Sequence, residues 1–177
     1  MNEKNIEFRI AAQSDAGTIT ALVNSVYRGE NSRKGWTTEA DFLGGIRITE
    51  EKVRDIIGHA DDLIILAVIE GKIIGCVHLE NPPGTEYSYF GMLSVDVDFQ
   101  SKGIGKLLIN ECERYTKEVL GFSEIRMKVI NRRKELIEYY ERRGYVSTGE
   151  LEVFGAKGGT FGDPTEKLVF ETFSKKL

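Results

Sequence analysis

Hydrophobic and polar residues alternate along the chain with two different periods, which predicts a protein built of both strands and helices. Residues 7–11 predict a short first strand. A helix is expected to follow, with Ser14 and Asp15 as capping residues at its start. The apolar face of this helix repeats at helical spacing and comprises Ile19, Leu22, Val23 and Val26.

A polar, glycine-containing segment separates this helix from a second predicted helix, which comes in two pieces. Thr38 is expected to cap the first piece, which begins at Glu39, and the apolar spacing within residues 50–57 predicts the second. β-branched residues dominate next, in the runs 63–69 and 73–80. Because Gly71 between them can take the positive φ of a tight turn, the two runs predict an antiparallel hairpin.

The rest of the chain continues with alternating strands and helices. A strand at 87–95, a long helix at 103–119, a strand at 125–129, a helix at 135–142 and strands at 145–153 and 166–173 are predicted, with a glycine-rich loop at 155–164. The element order is β-α-α-β-β-β-α-β-α-β-β. We therefore expect residues 1–177 to form a single α/β domain, with about four helices on a mixed, mostly antiparallel central sheet of about seven strands.

Composition excludes several classes of protein. The formal net charge of −4 and the pI near 5.4 argue against a general nucleic-acid or membrane-surface binder. No apolar run reaches the roughly 20 residues that a membrane span needs, so a cytoplasmic protein is expected. Two cysteines are too few for a disulfide framework. Together with only two histidines they offer few metal ligands, so no metal site is expected.

The segment from Leu93 to Leu108 carries the strongest functional signal, because a predicted strand turns there directly into the long helix. The first amides of a helix lack partners within it, and the helix dipole places partial positive charge there. Gly103 and Gly105 leave these amides accessible, while Lys102 and Lys106 add positive charge. The sequence therefore predicts an anion site at this turn.

Two familiar phosphate-binding motifs do not fit the spacing. A P-loop would need glycine at Gln100 and a serine or threonine at Leu107. The dinucleotide fingerprint would need a third glycine at Leu108.

The run from Gln100 to Gly105, Gln-Ser-Lys-Gly-Ile-Gly, resembles instead the Gln/Arg-x-x-Gly-x-Gly/Ala signature of the GCN5-related N-acetyltransferase (GNAT) superfamily. The order of elements is also similar to that family. The resemblance implies acetyl-CoA as cosubstrate and no metal. It further implies that backbone groups near Leu93, Val95 and Val97 align the pantetheine arm. The residues whose amides would hold the pyrophosphate are Gln100, Ser101, Lys102, Gly103, Ile104, Gly105 and Lys106.

The chain departs from common family members at two of these positions. Val97 stands where proline is frequent and Ser101 where glycine is frequent. Neither change removes a backbone donor.

A second segment, from Asn131 to Tyr145, resembles the family's Tyr-x-x-x-Gly-aromatic pattern. The resemblance gives Tyr140 the role of the acid that returns a proton to the leaving thiolate. Tyr139 is expected to point elsewhere on the helix. The sequence leaves open whether Asn131 or Arg133 contacts the coenzyme, and whether residues 132–134 meet its phosphates or form a solvated helix start.

The base that deprotonates the incoming amine stays open among Glu80, Glu86, His78 and a water chain. Neither cysteine lies in a recognisable nucleophile setting, so direct transfer in a ternary complex is expected.

By the same resemblance, residues 27–38 border the acceptor cleft, where Trp36 with Arg28, Arg33 and Glu30 would contact a small polar acceptor. Phe154 and Phe161 in the second loop are further candidates for the rim. The leading interpretation is an enzyme that acetylates a small-molecule amine. A protein lysine or N-terminal acetyltransferase and a non-catalytic acyl-CoA sensor are the alternatives. A homodimer is left open, and neither nucleic acid nor membrane is expected as a partner.

Overall fold

The computed structural model describes residues 6–35, 38–155 and 162–177. Its strands are β1 (Glu7–Ile10), β2 (Leu43–Gly44), β3 (Asp62–Ile69), β4 (Lys72–Glu80), β5 (Tyr87–Val95), β6 (Glu124–Ile130), β7 (Val146–Val153), β8 (Asp163–Pro164) and β9 (Val169–Lys176). Seven of them form one sheet in the order β1-β3-β4-β5-β6-β9-β7, and β2 pairs with β8. The β5–β6 pair is parallel and its neighbours in the sheet are antiparallel, which confirms the predicted mixed, mostly antiparallel seven-stranded sheet.

The helices in the described residues are α1 (Ala16–Tyr27), α2 (Gly29–Ser32), α3 (Glu50–Gly58), α4 (Ile104–Arg114) and α5 (Lys134–Glu141). A π-helical turn, Tyr115–Val119, continues α4 to the predicted end of the long helix. Within the same residues, no helix has both the length and the apolar character needed to cross a membrane.

The helices pack on both faces of the sheet, and the alternation of side chains along the central strands explains why. On β3, Ile64 and Leu66 face a core that includes Ile19 and Val53 of α1 and α3. Ile65 and its alternate neighbours face the opposite core, with α4 and α5. Both faces of β3 are buried, so its sequence reads as a continuous apolar run.

The predicted helix from Glu39 is wrong. Thr38 does act as a local cap, because its hydroxyl accepts a hydrogen bond from the Ala40 amide at 3.1 Å. Only a single turn follows, in which the Glu39 carbonyl accepts from the amides of residues 42 and 43. Gly45, with a φ of 73°, turns the chain directly after β2. One turn cannot offset the cost of helix nucleation, so the segment pairs with β8 instead.

The last strand begins and ends three residues later than predicted, at Val169–Lys176 instead of 166–173. Its polar end is extended because it pairs with β6, where Lys176 lies opposite Glu124 and forms an ion pair with it. This pairing is tertiary, and the local hydrophobic pattern does not report it.

The strands β5 and β6 separate along the sheet, and a cleft opens between them. Their ladder covers only the pairs Tyr87↔Glu124 to Tyr89↔Arg126. The register of β5 against β4 also shifts between Cys76 and His78, near Met92, which has a φ of 54°. This bulge bends β5 where it leaves β6, since an unpaired extra residue kinks the strand that carries it.

Asn24 of α1 fixes the chain segment that borders this cleft. Its side-chain oxygen accepts hydrogen bonds from the amides of Arg47 and Ile48, at 2.7 and 3.2 Å. Its side-chain nitrogen donates to the carbonyls of Ile48 and Thr20, at 2.9 and 3.0 Å. One half-buried amide therefore satisfies four backbone groups and ties an irregular segment to α1.

We expect Asn24→Ala to lower the free energy of unfolding by roughly 1–3 kcal/mol, because it leaves half-buried backbone groups without partners. Urea denaturation measures the change. Asn31→Ala, at an exposed position of α2, is the matched control and should change stability by less than about 0.5 kcal/mol. Equal stability of the two variants would contradict the role given to Asn24.

Candidate active site

The turn from β5 into α4 has the backbone conformation of an anion site. Ser101 and Gly103 have φ values of 59° and 82°, and Lys102 between them does not have a positive φ. Gly103 is the N-cap of α4. Left-handed residues that alternate in this way shape a concavity of amides, and the helix N-terminus adds partial positive charge. Ser101 adopts the strained conformation for which glycine is the usual residue.

A cavity of about 290 Å³ lies against this turn. Eight of the ten residues predicted to bind the coenzyme line it: Leu93, Val95, Gln100, Ser101, Gly103, Ile104, Gly105 and Lys106. Val97 does not line it and packs instead against the α1–α3 core. Lys102 does not line it either, because its ammonium donates to the Asp98 carbonyl at 2.6 Å and lies over the Phe99 ring.

The edge of β5 faces the cleft, and some of its backbone groups already form hydrogen bonds within the protein. The Asp96 amide donates a hydrogen bond to the Ile74 carbonyl of β4. Because backbone groups of successive residues in a strand point to alternate sides, those of Leu93 and Val95 point away from β4. The Leu93 carbonyl accepts from the Tyr27 hydroxyl at 2.7 Å. The Val95 carbonyl accepts from the Gln100 side chain at 2.9 Å. The amides of Leu93 and Val95 face the cleft beyond the end of the β5–β6 ladder.

A second, larger cavity of about 670 Å³ lies on the other side of the parted strands. Five residues line both cavities: Tyr27, Leu93, Arg133, Leu136 and Tyr140. The first cavity reaches from the α4 turn to these residues, and the second continues from them to the α1 side of the sheet. Tyr140 therefore lies at the junction of the two cavities.

Tyr140 is buried, with 4% of its surface exposed, and its ring packs against Phe90, Tyr139 and Tyr145. Its hydroxyl donates no hydrogen bond to any residue in the described part of the chain. Burial, with the neighbouring phenols of Tyr27 and Tyr139, raises the pKa of Tyr140 well above its ordinary value. The phenol is consequently protonated throughout the neutral range and keeps a proton to give.

The neighbouring tyrosines are distinct in position. Burial raises the pKa of Tyr27 to about 12. Tyr139 does not line the larger cavity but lines the smaller one, and its hydroxyl lies 3.6 Å from the Cβ position of Gly105. Arg143 stacks on the Tyr139 ring with 3.4 Å between guanidinium carbon and ring centroid. The sequence pattern does not assign Tyr139 or Arg143 to the coenzyme side.

Arginines and glutamates form one wall of the larger cavity. Arg28, which is buried, bonds to Glu39 at 2.7 Å, and Arg47 approaches the same carboxylate at 4.0 Å. Arg133 is also buried and lines both cavities. The sequence predicted Arg28 here but missed Glu39 and Arg47, because an irregular segment carries them and no local pattern distinguishes them.

Other predicted acceptor contacts have mixed outcomes. Arg33 and Glu30 pair with each other on the surface at 3.1 Å and do not line the cavity. Phe154 lines the cavity. Trp36 and Phe161 lie outside the described residues.

The remaining candidates, for the base and for contact with the coenzyme, differ in whether they line a cavity. His78 and Glu80 line the larger cavity, whereas Glu86 is exposed and does not. Asn131 is exposed and lines neither cavity, unlike Arg133.

Arg132 and Lys134, on either side of Arg133, line neither cavity, and the two cysteines do not line them either. Arg132 is exposed and pairs with Glu166, and Lys134 is also exposed. The two cysteines are fully buried, and burial raises the pKa of Cys76 to about 12. In the described ranges, no cluster of three or more ligand side chains is arranged to hold a metal ion.

The chain belongs to the acetyltransferase (GNAT) family, whose model matches residues 23–145. This family uses acetyl-CoA as its cosubstrate, and the protein is an acyltransferase of this type. The resemblance predicted from the sequence is confirmed.

Relatives extend the comparison to nearly the whole chain. The S-(2-succino)cysteine N-acetyltransferase of Bacillus subtilis (strain 168) is 30% identical over 162 residues, which cover 82% of this chain and 87% of the relative. Solved structures share the fold at lower identity. A spermidine/spermine N-acetyltransferase from Vibrio cholerae has a TM-score of 0.68 at 16% identity, covering 98% of this chain and 93% of its own. A GNAT-family acetyltransferase from Streptococcus pneumoniae has a TM-score of 0.68 at 18% identity, covering 97% and 99%.

We expect Gly105→Glu to abolish coenzyme A binding, with a loss of affinity of roughly 100-fold or more, because it places an anion in the phosphate concavity. A side chain at this position meets Tyr139 only at ordinary contact distance, so the variant should fold. Isothermal titration calorimetry with coenzyme A gives the affinity. Asn110→Glu adds the same charge at an exposed position of the same helix and should bind normally. Normal binding by folded Gly105→Glu would rule out this site.

Proposed function

We propose that this protein transfers the acetyl group of acetyl-CoA directly to the primary amine of a small-molecule acceptor that carries one or more carboxylates. The observation that carries the proposal is the position of Tyr140, a buried phenol at the junction of the cavity beside the α4 turn and a second cavity lined by several cations.

The residues of the smaller cavity fit coenzyme A. The amides around Ser101 and Gly103 suit its pyrophosphate, and the cleft-facing amides of Leu93 and Val95 suit the polar groups of its pantetheine arm. Acetyl-CoA, when bound, supplies an activated thioester. The protein's part is to hold that thioester at the junction and to exclude water from it.

At the junction, Tyr140 is suited to act as the general acid. The amine lone pair adds to the thioester carbonyl, the C–S bond breaks, and the thiolate takes the phenol proton. The same burial that raises the pKa of Tyr140 also raises the proton affinity of a thiolate beside it, so the two remain matched for transfer.

Direct transfer is supported by the environment of the thiols. Thiolate is the nucleophilic form of cysteine, and complete burial of Cys76 and Cys112 raises the pKa of both. Neither thiol lines either cavity. An acyl-enzyme on cysteine therefore has no support in the described residues.

The charge of the larger cavity supports an anionic acceptor. Four cationic residues, Arg28, Arg47, Lys128 and Arg133, line it with two carboxylates, Glu39 and Glu80. Excess positive charge favours carboxylates and disfavours a polyamine. The relative named for S-(2-succino)cysteine agrees with this charge, whereas the one named for spermidine and spermine does not. A lysine side chain of a protein would also place its methylenes against these cations, which supports a small-molecule acceptor.

We expect Tyr140→Phe to lower kcat by roughly 100-fold or more, since a lost general acid typically costs 10²–10⁴-fold. Affinity for coenzyme A should stay within about threefold, because the variant keeps the ring and its packing. Release of free thiol and calorimetry measure the two quantities. An unchanged kcat would contradict the catalytic role, and a wild-type protein that binds coenzyme A but turns over no amine would indicate a sensor.

We expect amines that carry carboxylates to be acetylated with higher kcat/KM than spermidine or amines without charge. Arg47→Gln should raise KM for the carboxylated amines roughly 10- to 100-fold, since a charge-assisted hydrogen bond contributes roughly 1.5–3 kcal/mol. Arg33→Gln removes a cation from the nearby surface outside the cavity and serves as the control. A preference for spermidine in the same panel would overturn the assignment of acceptor charge.

A further inference from the structure

We propose that His78 is the base that takes a proton from the acceptor's ammonium group, and that Asp62 is the positioning residue that orients its ring. The inference rests on the proposed acetyl transfer, because it assigns the base that this transfer needs. An ammonium group has no lone pair, so a proton must leave before the amine can attack a thioester.

The geometry starts from two adjacent strands. His78 of β4 lies opposite Ile64 of β3, and Asp62 is the next residue on the same face of β3. Such diagonal neighbours are within reach of a long side chain. His78 Nε2 lies 2.6 Å from Asp62 Oδ1, in a half-buried hydrogen bond. The ring is thus fixed where it lines the larger cavity.

This hydrogen bond selects the tautomer that a base requires. A carboxylate only accepts hydrogen bonds, so the ring carries its proton on Nε2 and leaves the lone pair on Nδ1. Nδ1 makes no hydrogen bond to any residue within 6–35, 38–155 or 162–177. The lone pair is therefore available to an ammonium in the cavity, directly or through one water.

Asp62 is ionised, as this role requires. Burial opposes its ionisation, but the hydrogen bond from His78 and the charges of His78 and His59 hold the pKa of the carboxyl below its ordinary value. The second carboxylate oxygen lies 2.7 Å from His59 Nδ1, on a ring that is 59% exposed. His59 does not line the cavity, so only one of the two imidazoles that contact Asp62 can reach an acceptor.

A metal site and a glutamate base both fit this part of the cavity less well. A metal held between the three side chains would separate nitrogen from oxygen by roughly 3 Å or more, given metal–ligand bonds of about 2 Å. The observed contacts of 2.6 and 2.7 Å are shorter. Glu80, the rival base, lines the same cavity but is exposed, and no neighbour fixes its carboxylate among the described contacts.

Several charged and titratable groups lie in the surroundings of His78. Those that contact its partner or line its cavity nearby are Asp62, His59, Glu80, Tyr89, Glu39, Arg28 and Arg47. Asp62 is the group in direct contact, so its removal gives the clearest test.

The proton balance closes with both residues in place. One ammonium proton passes to His78 Nδ1 and then to solvent, which restores the base. The amine nitrogen forms the C–N bond and then loses a second proton. That proton replaces the one that Tyr140 gives to the thiolate. The net products are an amide, a free thiol and one released proton.

The tautomer of the His78 ring is tested first, and this test needs no substrate. The chain has only two histidines, so ¹⁵N-histidine NMR shows two rings, and His59→Gln assigns them. We expect the neutral His78 ring to carry its proton on Nε2, and the populations of the two tautomers to change in Asp62→Asn. A proton on Nδ1 in the wild-type protein would overturn the proposal.

Kinetics test the base itself. At neutral pH, His78→Gln should lower kcat/KM for the best acceptor of the panel by roughly 10²–10⁴-fold, the usual contribution of a general base. The defect should shrink as pH rises, because the acceptor then loses its proton in solution. In this variant the acidic limb of the pH profile should move to higher pH, where the acceptor loses its own proton, whereas in Asp62→Asn it should shift to lower pH. If His78 had a purely structural role, its replacement would change neither the acidic nor the alkaline limb of the pH profile.

Two further variants complete the comparison. Glu86→Gln, at an exposed position outside the cavity, should leave activity and pH profile unchanged, and Glu80→Gln should keep the acidic limb. If Glu80→Gln loses that limb, or if His78→Gln stays within about twofold of the wild type, the proposal is wrong. A wild-type protein that binds coenzyme A yet acetylates no amine would instead contradict the proposed function.

Discussion

The separation of β5 from β6 is the constraint on which the rest of the site depends. These two strands are parallel, and three residue pairs hold them together before they part. The parting gives up ladder hydrogen bonds, which a sheet normally keeps. In exchange, the edge of β5 faces a cleft that connects two cavities. α4, which links the two strands, begins at the open end, so its N-terminal amides face the same cleft.

Burial has a different effect on each side of this cleft. The tyrosines at the junction are surrounded by rings and aliphatic side chains, which keep their phenols protonated. On the α1 side, the charged groups have partners: Arg28 pairs with Glu39, and the Asp62 carboxylate is hydrogen-bonded to His78. Paired charges tolerate burial that single charges would not. The cleft thus has neutral phenols at one point and charged groups with partners elsewhere.

Much of the fold could be predicted from local sequence, because strong local patterns coincide with the tertiary structure. The hairpin of β3 and β4, the helix α4 and the turn at Gly103 were predicted for this reason. The helix after Thr38 was not correctly predicted, since a good cap was followed by too few helix-forming residues before Gly44 and Gly45. The end of β9 was missed because its extension depends on pairing with β6.

The site was only partly predictable for a related reason. A backbone-based anion site leaves a glycine spacing in the sequence, and Tyr140 lies at a fixed distance before Gly144. Glu39, Arg47 and Asp62 leave no such trace, because each reaches the larger cavity or its lining histidine through contacts between distant segments.

The clamp formed by Asn24 has a consequence for position 47. It holds position 47 through the main-chain amide alone, and every residue except proline has that amide. The hydrogen bonds between Asn24 and this segment therefore do not depend on which side chain stands at position 47. One anchoring residue on α1 thus holds this segment in place whatever side chain position 47 presents to the larger cavity.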